Sequence, residues 1–288
     1  MTKSKSHRPI RHLTERVLGL VLMNGRVAGL SYRFGGHGRL KVVREEVTLG
    51  TAAQLPRPLR IGFASDFHAG PTTDPAIFDD LLAALRRERP DVLLLGGDYV
   101  SFDAANVDRL SAYLAAYAQT APLGAYAVLG NHDVWNGSAP IVAALRAAGV
   151  NVLVNGAAAL PAPFGAVSVC GIDDPWTGAP SAQATFAGSA PGALRLYLMH
   201  SPDGLWHLDG LRYDVGFAGH THGGQIARRS GAQLFRPSGP YSRRYSFGRF
   251  DFPDNGPLFV SRGIGCAGIP LRLNADPELL ICTLRATA

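Results

Sequence analysis

The stretch GHTHGGQ, Gly219 to Gln225, sets two imidazoles one residue apart directly after the apolar run VGFA. Histidines at the end of a buried strand serve either as hydrogen-bonded loop residues or as metal ligands, and the second role needs partners from elsewhere in the chain. Such partners recur in one pattern. The run IGFAS leads into Asp66, Phe67 and His68, DVLLLG into Gly97 and Asp98, and AYAVL into Gly130, Asn131, His132 and Asp133. LRLYLM ends at His200 of HSPD, and VGFA at His220 and His222. Four histidines (His68, His200, His220, His222), two aspartates (Asp66, Asp98) and Asn131 thus stand beyond separate apolar runs, with Asp133 in addition. Brought together and partly buried, these groups are costly unless neutralised, and divalent cations neutralise them. Asp66 with His68, and His220 with His222, place alternate side chains on one side of an extended segment. The glycines before Asp98, Asn131 and His220 permit sharp turns out of the strands.

The elements that position these residues alternate in type. IGFAS, DVLLL, AYAVL, VSVCGI, LRLYLM and DVGFA read as buried strands, and amphipathic helices are expected from Asp74–Pro75 through Arg89, over 104–119 and over 140–148. Strand–helix alternation predicts an α/β domain, in which loops at the carboxyl ends of strands bind ligands. LKVVREEVTL, before it, alternates like an exposed strand, and QLPRPL marks the entry to the main body. Residues 1–50 are therefore expected to form a basic N-terminal segment and 51–288 the catalytic domain. GIDDPW, Gly171 to Trp176, either rims the site or caps a turn.

The chain's 288 residues, 47% hydrophobic and 17% charged, exclude a disordered protein. Cys170, Cys266 and Cys282 are far apart and odd in number, which reads as buried free thiols in a reducing compartment. No apolar run reaches the ~18 residues that span a bilayer, and no signal peptide is evident. The net charge of +6 is concentrated. Arg228, Arg229, Arg236, Arg243, Arg244 and Arg249 fall within 223–250, where there is no acid, and Lys3, Lys5, Arg8 and Arg11 begin the chain. Both places suit an anionic partner. From Ile10 to Met23, Ile10, Leu13, Val17, Leu20 and Val21 have helical spacing, which fits a helix on an anionic membrane surface or one packed on the core.

In order, DxH, GD, GNHD, H and GHTH resemble the calcineurin-like metallophosphoesterase superfamily, from about Leu59 to the C-terminus. HSPD, GHTHGGQ, FVSRGIG, IPLRL and PEL resemble its bacterial YkuE-like branch, which includes membrane-associated phosphodiesterases and a UDP-2,3-diacylglucosamine pyrophosphatase. The resemblance implies a four-layer α-β-β-α sandwich, the metallo-dependent phosphatase fold, around two divalent metal ions. Carried over by motif, Asp66, His68 and His222 hold one metal, Asn131, His200 and His220 the other, and Asp98 bridges them. Oxygen and nitrogen donors suit Mn²⁺ first, or Zn²⁺ or Fe. His132 is expected to face the leaving-group oxygen. The GDxVDRG motif of the superfamily's protein phosphatases is replaced by GDYVSFD, with Ser101 in place of the aspartate that orients the catalytic histidine. That argues against a phosphoprotein substrate and leaves Asp103 or Asp133 to steady His132.

The expected function is hydrolysis of a phosphodiester or pyrophosphate bond in a lipid-linked or nucleotide-linked phosphate ester. Arg228, Arg229, Arg243, Arg244 and Arg262, with Arg272 as a further candidate, are expected to contact substrate phosphates. The arginines of 223–250 interleave with Phe235, Tyr241, Tyr245, Phe247 and Phe250, which suits a lipid headgroup surface. The expected location is cytoplasmic, peripheral on the inner face of the cytoplasmic membrane, with no specific nucleic acid as partner. The alternatives are a soluble nucleotide or cyclic-nucleotide phosphodiesterase and a non-catalytic scaffold of the same fold.

Overall fold

Each apolar run that precedes a polar cluster folds as a strand. The computed structural model describes residues 17–50, 55–230, 232–234 and 239–287. Its strands are β1 (Lys41–Leu49), β2 (Leu59–Ala64), β3 (Val92–Leu95), β4 (Ala125–Ala127), β5 (Val150–Val152), β6 (Gly156–Ala159), β7 (Val167–Gly171), β8 (Leu194–Leu198), β9 (Val215–Ala218), β10 (Gly248–Phe250), β11 (Leu258–Val260) and β12 (Glu278–Ala286). The helices are α1 (Arg26–Arg33), α2 (Ala76–Glu88), α3 (Asp108–Ala118), α4 (Asn131–Asn136), α5 (Ser138–Ala147), α6 (Ala182–Ala187) and α7 (Pro240–Arg244). Asp74 opens α2 by accepting the Ala76 amide at 2.9 Å.

Two six-stranded sheets result, ordered β1-β12-β2-β3-β4-β5 and β10-β11-β9-β8-β7-β6. In the first, β2 to β5 run parallel; in the second, β7, β8, β9 and β11 do. Parallel strands covered on both faces need apolar residues at every position, which explains the unbroken runs. The two-residue period then divides them. Ile61, Phe63, Leu94 and Leu280 meet Leu196, Leu198 and Phe217 between the sheets. Leu93, Leu95 and Ile281 face α2, α3 and α5, while Tyr197 and Val260 face α6 and the turn after His200. The layers are therefore α-β-β-α, as the resemblance implied. Phe63 and Phe217 join the sheets with ring centres 5.5 Å apart, each burial worth about 1.5–3 kcal/mol.

The strand expected within 1–50 is β1, the edge of the first sheet, paired parallel with β12 along its whole length. That sheet therefore takes strands from both sides of residue 50. The expected helix from Ile10 falls outside the described residues up to residue 16; residues 17–21 are helical, with Val17, Leu20 and Val21 exposed and Leu22 buried. Cys170, Cys266 and Cys282 are buried and free. Among the described residues, no helix is long and apolar enough to cross a membrane.

Candidate metal centre

Six neighbouring strand ends converge. Parallel β2, β3 and β4 release Asp66 with His68, Asp98, and Asn131 with His132; parallel β7, β8 and β9 release the Asp174 loop, His200, and His220 with His222. The two sheets are tied at this edge: His200 Nδ1 lies 2.8 Å from the Gly96 carbonyl oxygen, and the His220 amide donates to the Asp66 carboxylate at 3.0 Å. The glycines serve close approach more than turning. A Cβ at Gly97 would sit 2.6 Å from the Gly130 nitrogen, one at Gly130 would collide with the Asp98 carboxylate, and one at Gly219 with that of Asp66. Of the three, only Gly97 has a positive φ, 89°. The ligand residues carry that conformation instead: Asp66, His68, Asp98, His220 and His222 all have φ between 45° and 70°. Non-glycine residues adopt it at a cost, and it clusters at functional sites.

The donor atoms form two trios, the buried Asp66–His68–His222 and Asp98–His200–His220, in which His220 is half-buried, and a third group joins His68, Asp98 and His132. Asp98 Oδ2 links the trios, 3.6 Å from His68 Nε2 and 3.4 Å from His200 Nε2. His68 Nε2 faces His222 Nε2 at 3.0 Å, His222 Nε2 is 3.5 Å from Asp66 Oδ1, and His200 Nε2 is 3.1 Å from Asn131 Oδ1. All seven expected ligands are therefore together.

The donor set fits a cation. Because the Gly96 oxygen only accepts, His200 Nδ1 carries a proton, and in neutral His200 the Nε2 lone pair points at the oxygens of Asn131 and Asp98. Burial opposes a second proton there, yet Asp98, with Asp66 and Asp174, raises the His200 pKa well above the ordinary imidazole value. A metal ion would relieve the same crowding. Burial, aided by neighbouring imidazoles, lowers His68 and His220 to about 3, so both offer neutral nitrogen. Among described residues, the buried His220 Nε2 has no hydrogen-bond partner.

The two carboxylates expected beside His132 both accept backbone amides. Asp133 accepts the amides of Asp98 and Gly130 at 2.9 Å and of Tyr99 at 2.8 Å, pinning the two ligand loops to each other. Asp103 caps the next turn, accepting the Ala105 amide. The His132 amide donates to Asp98 Oδ1 at 2.8 Å, and its ring meets those of His68 and Trp135 edge-on at 4.8 and 5.1 Å. Ser101 supports a different histidine, with Oγ 2.9 Å from His68 Nδ1. The GIDDPW aspartates cap a turn: Asp174 accepts the Trp176 and Thr177 amides and the Thr177 hydroxyl, and Asp173 accepts the Asp174 and Ala179 amides. Trp176 lies above His220, ring centres 6.0 Å apart at 21°.

The arginines divide. Arg228, Arg229, Arg243 and Arg244 are exposed, and Arg236 falls outside the described residues. Helix α7, which carries Arg243 and Arg244, is docked beside His200: Asp203 accepts from the Tyr241 amide and Ser242 Oγ, and Ser201 meets Ser242 at 3.0 Å. Arg262 pairs with Glu278 at 2.7 Å and lies over the Phe247 ring. Arg249 pairs with Asp251 at 2.9 Å. Arg272 is buried, donating to the Gly265 and Ala275 carbonyls with Nη2 3.3 Å from His222 Nδ1, so it backs a ligand instead of facing solvent. Tyr241, Tyr245 and Phe250 also depart from the expected surface role. They are half-buried and pack against the second sheet's outer core, with Tyr245 stacked on Tyr241 and edge-on to Phe250. Sequence reasoning named Ser101, Arg272 and the GIDDPW turn but not their contacts with His68, His222 and His220; the alternation in Leu271–Arg272–Leu273 was the one local signal that the arginine points inward.

Comparison with known proteins agrees with this arrangement. The calcineurin-like phosphoesterase family profile matches residues 59–224, the span from β2 past both GHTH histidines. The chain is 32% identical over 231 residues to the phosphodiesterase YaeI of Escherichia coli (strain K12), covering 79% of this chain and 82% of that protein. It is 26% identical to the uncharacterized metallophosphoesterase YkuE of Bacillus subtilis (strain 168), covering 72% of each. It is also 26% identical to the UDP-2,3-diacylglucosamine pyrophosphatase LpxG of Chlamydia trachomatis, covering 79% of this chain and 83% of that one. With a matching profile over more than half its length and a relative 32% identical over most of both chains, this chain belongs to the calcineurin-like phosphoesterase family.

Proposed function

We propose that this phosphoesterase is a two-metal hydrolase that cleaves a phosphodiester or pyrophosphate bond in a lipid-linked or nucleotide-linked substrate at a membrane surface. The observation that carries the reading is the place of the Asp98 carboxylate, within 3.6 Å of a histidine from each trio. Asp66, His68 and His222 would hold one ion, Asn131, His200 and His220 the other, and Asp98 both. When bound, the ions activate water at neutral pH and neutralise phosphoryl charge. The protein's own groups do the rest. Ser101 and the Gly96 carbonyl orient His68 and His200. His132, pinned through its amide to Asp98, gives a proton to the leaving-group oxygen as the P–O bond breaks, a role worth about 10²–10⁴-fold. Arg243 and Arg244, held beside His200 by the Asp203–Ser242 contacts, serve the outer phosphate oxygens; Arg228 and Arg229 are exposed further along, and Arg262 is held by Glu278.

The membrane part of the proposal rests on exposed apolar side chains. Val17, Leu20, Val21, Met23, Leu30 and Phe34 are exposed, as are Ile269, Leu271 and Leu273. The two segments are joined, since Ser31 Oγ donates to the Pro270 carbonyl and the Arg272 amide to that of Gly36 at 2.8 Å. Arg26 and Arg33 are exposed on α1. Apolar side chains flanked by arginine suit an anionic lipid surface, and the relative LpxG is a UDP-2,3-diacylglucosamine pyrophosphatase.

The test is metal analysis of the purified protein together with hydrolysis of p-nitrophenyl phosphate, bis(p-nitrophenyl) phosphate, a cyclic nucleotide and a UDP-linked lipid. Two metal equivalents per chain and turnover of a diester or pyrophosphate are expected. Turnover of the monoester alone, or none with metal bound, would overturn the reading. His132→Asn should keep its metal yet slow alkoxide-releasing esters at least tenfold more than p-nitrophenyl esters; equal slowing would remove His132 as the acid.

A further inference from the structure

Two indoles stand at the metal centre with a large part of their surface in solvent. Trp135 is 46% exposed and Trp176 41%. Neither is a core residue that happens to lie near the site, because each is placed against a different histidine. Trp135 follows His132 by three positions on α4, so the two share a helix face, with ring centres 5.1 Å apart. Trp176 comes from the turn after β7 and lies nearly parallel to His220. Its turn is held at several points: Nε1 donates to Ser201 Oγ at 3.3 Å, its amide to Asp174, and Asn155 Oδ1 accepts the Asp173 and Ser181 amides. A large ring held rigid while keeping an open surface loses little entropy on binding a ligand.

We infer that the two indoles are subsites for the two substituents of a phosphodiester, Trp135 for the leaving arm and Trp176 for the retained arm. This assignment rests on His132 being the leaving-group acid. In-line displacement sends the leaving oxygen out on one side of phosphorus, and the substituent on the oxygen next to His132 passes Trp135. The substituent that stays on phosphorus lies toward the other trio, where Trp176 covers His220. A phosphomonoester has no retained arm and leaves Trp176 unused, so the arrangement selects diesters that carry planar or apolar groups on both sides.

The experiment uses the metal-loaded full chain and two esters that share a leaving group, p-nitrophenyl phosphate and thymidine 5′-monophosphate p-nitrophenyl ester. In W176A the ratio of diester to monoester kcat/KM should fall about tenfold, through KM, in keeping with one lost stacked ring. W176F should recover most of it. In W135A the ratio should stay within about twofold while KM rises for both esters. A ratio unchanged in W176A, or falling equally in both variants, overturns the assignment, provided metal content per chain matches wild type. Release of p-nitrophenol from neither ester by wild type would count against the hydrolase reading itself. Equilibrium dialysis with thymidine 5′-monophosphate, which carries the retained arm alone, then decides the subsite: a Kd unchanged in W176A overturns it, and one raised about tenfold in W176A and restored in W176F supports it.

Discussion

Asp98 is the residue whose loss should be felt in both halves of the site. Its Oδ2 faces His68 and His200 and its Oδ1 holds the His132 amide. Asp98→Asn should therefore lower bound metal from two equivalents per chain to below one, with nearly all activity lost. His68→Ala, which removes a donor from one trio, should lose about one equivalent. Elemental analysis of dialysed protein reads both, and two retained equivalents in Asp98→Asn would dismiss the bridging role. The carboxylate, imidazole and amide donors were legible from their types and strand-end positions. Their helpers were not, since Ser101 could equally have served His132, and only the 2.9 Å approach to His68 Nδ1 assigns it.

At the scale of elements, the turn after α1 buries His37, whose two ring nitrogens have no hydrogen-bond partner among the described residues. Burial, with the charge of Arg272 nearby, lowers its pKa to about 3. The unfolded chain takes up this proton below about 6.5 while the folded one does not. Stability from this group is therefore complete above pH 6.5 and declines as pH falls toward 3, by about 1.4 kcal/mol per pH unit. Between pH 6.5 and 5 the wild type should lose about 2 kcal/mol more than His37→Leu in urea unfolding. Equal losses would show that this turn opens without global unfolding. Strands β1 to β4 and β7 to β9, with α2, α3 and α5, were legible because apolar period and capping residues are local. That α1 and its turn dock on the 265–276 loop was not, since the contacts join segments more than 200 positions apart, such as Ser31 and Pro270.

For the whole molecule, the exposed apolar residues of 17–34 and 269–273 predict binding to anionic vesicles over neutral ones. Each basic residue near such a surface contributes about 1 kcal/mol, screened by salt. Sedimentation with liposomes should weaken from low to high ionic strength, and weaken again on deleting residues 1–23 or in a Leu271→Ser, Leu273→Ser variant. Hydrolysis of a soluble p-nitrophenyl ester should survive the deletion, because the first ligand is Asp66. Equal failure to bind either vesicle would leave a soluble nucleotide diester as the better substrate class.

By itself the sequence determined the strand-end clusters, the α/β layering and the concentration of positive charge. Each of these is written in a short window: apolar period sets the strand, and a polar residue after it sits at the strand's end. Tertiary structure alone decided which cluster meets which. It linked the trios through Asp98, packed Tyr241, Tyr245 and Phe250 against the second sheet's outer core, tied Arg262 to Glu278 and Arg249 to Asp251, and put Arg272 behind His222. It also left Ile269, Leu271 and Leu273 exposed beside α1. The reason is physical. Side-chain direction at a left-handed backbone position, and the distance between residues far apart in sequence, follow from how the two sheets pack, and no local pattern encodes them.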